Sequence, residues 1–111
     1  MDGWIKDTTA DVYREHSGSN VVDGTFYGGK LVTTAASDYI AWPGDEYDNA
    51  EFYQRFQGRT VTFGMWLKTS TASHAKLTIT DSAGSTSSSF HTGGGTAEWI
   101  EVTRSINASA T

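Results

Sequence analysis

The chain has 111 residues, a formal net charge of −5, and 37% hydrophobic against 19% charged residues, which suits one domain spanning residues 1–111. Its eight Lys and Arg are scattered singly, so it lacks the basic patch that replaces phosphate counterions on nucleic acid, and no apolar run approaches the roughly 20 residues of a membrane span. Cysteine is absent, which excludes a disulfide framework and thiolate metal sites but leaves the compartment open. Sixteen Thr, 12 Ser and 12 Gly favour short strands and many turns over helices.

In chain order, the opening MDGWIKDTTADV has no apolar h-region, so no secretory leader is read there. An exported form would use a removed leader or a route that needs none. DVYREH, residues 11–16, is the best helical candidate, at only about two turns. GTFYGGKLVTT, residues 24–34, reads as two short strands about a Gly28-Gly29 turn. Residues 39–54, YIAWPGDEYDNAEFYQ, hold the sole proline, a cluster of aromatic residues and four carboxylates. AEFYQRFQ, residues 50–57, reads as a strand.

The period-two signal is clearest downstream. In TVTFGMWLKT, Val61, Phe63, Met65 and Leu67 fall on one face, with Thr62, Gly64, Trp66 and Lys68 on the other. AKLTITD places Ala75, Leu77 and Ile79 inward. EWIEVTRSI places Ile100, Val102 and Ile106 opposite Trp99, Glu101, Thr103 and Ser105. DSAGSTSSS turns through Asp81 to Gly84, and HTGGGTA reads as a flexible loop. Short strands at even intervals predict an all-β antiparallel sandwich or barrel with a core of Phe63, Met65, Leu67, Leu77, Ile79, Ile100 and Val102.

Several motifs carry a resemblance. They are Gly58-Arg59-Thr60, Thr62-Phe63 with Trp66 and Lys68, Ile79 with Asp81, Trp99 with Thr103, and the leading Asp2-Gly3-Trp4. Together they resemble the jelly-roll β-sandwich modules of the carbohydrate-binding type, which also occur in phage and virion fibre proteins. The resemblance implies a non-catalytic glycan-binding module of a larger secreted or virion protein, hence an extracellular or virion-associated place. Such modules usually carry one or two further strands after the position of INASAT. The open edge left here predicts a homo-oligomer. The alternative is a structural or assembly domain whose aromatic residues pack against sister chains.

Sugars stack C–H groups on flat aromatic faces while polar side chains read hydroxyls at the edge. Tyr39, Trp42, Tyr47 and Tyr53 supply faces; Asp45, Asp48, Gln54 and Arg55 supply polar edges. Each aromatic residue is open to either reading, ligand contact or packing. Trp42, just before the Pro43-Gly44 turn, is the expected stacking platform. Trp66 and Trp99 lie on polar strand faces, either covered by a loop or exposed as a binding floor. Asp45, Glu46 and Asp48 are close enough to share a calcium ion, but they lack calcium-loop spacing and read as a solvated acidic loop. His16, His74 and His91 lack zinc spacing, and His91 reads as a turn residue. Asp45 with Glu98 or Glu101 could be imagined as a glycosidase pair, but nothing fixes a separation, and no nucleophile or phosphate-loop motif is present. Asn107-Ala108-Ser109 fits a glycosylation sequon.

Overall fold

The computed structural model describes residues 5–15, 17, 28–41 and 55–109. The chain is all-β, as its composition and periodicity predict. Eight strands are described: β1 (Ile5–Lys6), β2 (Asp11–Glu15), β3 (Gly28–Val32), β4 (Ile40–Ala41), β5 (Thr60–Lys68), β6 (Thr78–Asp81), β7 (Gly84–Ser87) and β8 (Ala97–Ser105). Among the described residues they pair two by two and antiparallel: β1 with β4, β2 with β3, β5 with β8, and β6 with β7. The chain divides into two compact units, Met1–Asp48 and Asn49–Thr111.

In the first unit, two local expectations are corrected. Of the helical candidate at 11–16, Asp11–Glu15 form strand β2, paired residue for residue with β3 from Asp11↔Val32 to Glu15↔Gly28. An isolated helix of about two turns is marginal in water, whereas a strand partner meets the backbone's hydrogen-bonding demand at once. Gly28 and Gly29, read as a turn, lie inside β3 opposite Glu15 and Arg14. The turns after β1 and β3 are tied through Asp38. Its carboxylate accepts from the Thr9 hydroxyl, from Thr34 N–H at 2.8 Å and from Ala35 N–H at 3.1 Å. The Thr9 bond is the main reason the Asp38 carboxyl sits below its ordinary range.

In the second unit, β5 and β8 form a nine-residue ladder from Thr60↔Ser105 to Lys68↔Ala97. Leu77, Ile100 and Val102 are buried, with Phe63, Met65, Leu67 and Ile79 packed against them. This is the core set that the alternation predicts. The β6–β7 hairpin turns over Ser82-Ala83, and both its strands contact β8, which brings Leu77 and Ile79 onto the inner face of that strand. Ser88 N–H to Leu77 O and His91 N–H to Ala75 O, both 2.8 Å, extend the contact beyond the hairpin's own ladder. Upstream, Arg55 and Phe56 are helical and Gln57-Gly58 form a turn, so the end of AEFYQRFQ is not the strand expected there. Gly58, at φ +69°, supplies the left-handed backbone before β5.

One ion pair fastens the hairpin to β8. Arg104 occupies an inward position of the alternation and reaches Asp81 with two hydrogen bonds, Nε to Oδ2 at 3.0 Å and Nη2 to Oδ1 at 2.8 Å. Its Nη1 donates to the Thr86 hydroxyl at 2.9 Å. Asp81 also accepts from the backbone N–H groups of Ala83, Gly84 and Asn107. Its side chain is 3% exposed, and the paired guanidinium holds its carboxyl well below the usual carboxylate range.

Candidate functional site

The outward face of the β5–β8 ladder holds two of the residues expected to contact ligand. Trp66 and Trp99 stand directly opposite each other, and each is 51% exposed. Their ring centroids are 5.7 Å apart and their planes meet at 69°, so the indoles make an open corner. Parity puts both side chains on the same face, and the register makes them immediate neighbours. Of the two fates weighed for Trp66, exposure is the one adopted.

Two features hold Trp99 in place. Its indole N–H donates to Glu101 Oε2 at 3.0 Å. Its six-membered ring lies over Gly64: a Cβ added there would collide with Trp99 Cζ2 and come within 3.1 Å of Cε2 and Cη2. A glycine in mid-strand normally weakens the strand, and here it clears the floor for the ring. The face then continues along the strands as two hydroxyl pairs, Thr62–Thr103 at 2.8 Å and Thr60–Ser105 at 3.1 Å, all four residues exposed.

The start of β8, two residues before Trp99, is set by the loop 91–96. This loop, expected to be flexible from its glycines, is tied by hydrogen bonds at several points. His91 is buried, and its Nδ1 accepts the Gly93 N–H at 2.8 Å. The proton therefore sits on Nε2, which donates to Thr96 O at 2.8 Å. Gly95 N–H donates to Thr69 O at 3.0 Å, tying the loop to the residue after β5. Gly93, at φ +87°, passes so close to the chain at Ala72 that a Cβ would collide with the Ala72 backbone nitrogen. Glu98 accepts from Thr92 through both hydroxyl and backbone N–H, and these bonds, the hydroxyl first, hold its carboxyl below the ordinary value.

Of the residues expected to contact ligand, the second unit brings together Trp66 and Trp99. Tyr39 lies in the first unit and is 48% exposed, its carbonyl accepting Asp7 N–H at 2.9 Å. Trp42, Asp45, Tyr47, Asp48, Tyr53 and Gln54 lie outside the described residues, as does Glu46 of the calcium reading. Among the described residues no three His, Cys, Asp or Glu gather as a metal site. Glu98 and Glu101 fall on opposite faces of β8, one bonded to Thr92 and the other to Trp99. Sequence reading passed over Gly64, Thr62 and Thr103 as site residues. Their signal was present as parity with Trp66 and Trp99. No protein-family model, curated protein or solved structure matches this chain.

Proposed function

We propose that the chain is a non-catalytic carbohydrate-binding module of jelly-roll type, part of a larger secreted or virion-associated protein. The exposed corner of Trp66 and Trp99 carries this reading. A pyranose offers a face of C–H groups to one indole and its hydroxyls to the polar neighbours. The ring over Gly64 and the bond to Glu101 fix Trp99 before ligand arrives, so little freedom is lost on binding. Affinity is modest, because an open face gains stacking and a few hydrogen bonds that compete with water.

The test is affinity electrophoresis through gels holding dextran, galactomannan, xylan, hydroxyethylcellulose, polygalacturonate or chitosan. At least one polysaccharide should retard the wild-type chain. Trp66→Ala should migrate freely in that gel with an unchanged melting temperature. Absence of retardation in every gel overturns the reading.

A second reading, an assembly domain that self-associates as a homo-oligomer, draws on the same face. Among the described residues β5 and β8 pair only with each other, and each carries a half-exposed tryptophan. It predicts that Trp66→Ala lowers the mass in solution rather than glycan retention.

A further inference from the structure

Beyond the Trp66–Trp99 corner and the Gly64/Glu101 pair, the face continues into a row of hydroxyls. On the outward face the ladder runs Trp66/Trp99, Gly64/Glu101, Thr62/Thr103, Thr60/Ser105. The ring of Trp99 covers Gly64, so the aromatic floor ends where the first hydroxyl pair begins. From Trp66 to Thr60 is six residues, or about 20 Å of strand. Within each hydroxyl pair one O–H is spent on its partner. That leaves one donor and free lone pairs per pair turned to solvent. The adjoining charge on this stretch is Glu101, whose Oε2 is taken by Trp99. Lys68, beyond the tryptophans at the other end, already has an interaction of its own.

We propose that this strip is one elongated site that takes an uncharged, hydroxyl-rich polysaccharide chain along the strand direction. Trp66 and Trp99 stack one unit, while Thr62, Thr103, Thr60 and Ser105 read the hydroxyls of the next. The inference rests on the carbohydrate-binding reading and adds ligand class, direction and four contact residues. A chain bearing carboxylates or sulfates would set like charge against Glu101 along its path. An uncharged one meets donors and acceptors alone, so its binding is insensitive to salt.

The experiment uses the full chain and the double variant Thr62→Val/Thr103→Val. Valine keeps the β-branched shape, and replacing both partners of a hydrogen bond together is nearly neutral for stability. Thr78→Val/Ser87→Ala is the control. It removes both hydroxyls of the pair Thr78–Ser87 on the β6–β7 hairpin, away from the tryptophans. Calorimetric titration with oligosaccharides of two to six units, cut from the retained polysaccharide, should show affinity rising with length. The Thr62/Thr103 variant should lose about two- to tenfold on the longer oligosaccharides, with the shortest unaffected. The control should lose nothing, and 0.5 M NaCl should leave the wild-type affinity in place. Equal affinities for the variant and the wild type at every length overturn the inference and leave the tryptophan reading standing, as does Trp66-dependent retention by polygalacturonate alone. No retention by any polysaccharide overturns both.

Discussion

Gly64 shows how much one missing side chain decides. The ring of Trp99 occupies the space a Cβ would take, and the atoms it would meet belong to the far end of a half-exposed side chain rather than to backbone. The strand therefore tolerates alanine, which is a better strand and helix former than glycine in mid-element. What moves is Trp99. We expect Gly64→Ala to fold with an equal or higher melting temperature, to shift the Trp99 indole N–H resonance, and to lose glycan retention. Retention like that of the wild type, with the indole signal unmoved, would show that Trp99 does not rest on this floor. Glu101 acts through the same ring, because its carboxylate holds the indole N–H.

At the scale of elements, the β6–β7 hairpin is held to β8 by the Asp81–Arg104 pair. The side chain of Asp81 is nearly covered, and its folded-state carboxyl is depressed, chiefly by its hydrogen bonds with Arg104. A depressed carboxyl contributes stability that is complete above its unfolded value of about 3.9 and is lost as pH falls through the folded value. Glu98 and Asp38 shift the same way, so all three weaken the fold in acid. Asp81→Asn should lower the melting temperature at pH 7 and flatten its fall between pH 5 and pH 2, as read by circular dichroism. Parallel curves for variant and wild type would remove Asp81 from the acid response. The core on this hairpin was legible in advance, because Leu77 and Ile79 alternate with threonines and meet Ile100 and Val102, which alternate too. Arg104 was not legible as a fastening. It breaks the apolar row of β8, and its partner lies 23 residues earlier. Nor was β2, where 11–16 carries a weak helical signal that pairing with β3 overrides. His91 reads as an ordinary loop residue until its two ring bonds and its backbone bond to Ala75 are seen together.

For the whole molecule, the all-β class follows from composition and period, while the candidate site follows only in part. Parity places Trp66 and Trp99 on polar faces, but their meeting depends on the register of two strands that are far apart in sequence. The four tryptophans, Trp4, Trp42, Trp66 and Trp99, give the chain four natural reporters. Glycan recognition by the β5–β8 face can be followed by titration through the indole N–H signals in a nitrogen-15 spectrum. With an uncharged oligosaccharide added to the full chain, the signals of Trp66 and Trp99 should shift in a saturable manner, together with the backbone signals of Thr62 and Thr103. Shifts at Trp42 with Trp66 and Trp99 unmoved, or no shift in any of the four, would contradict it.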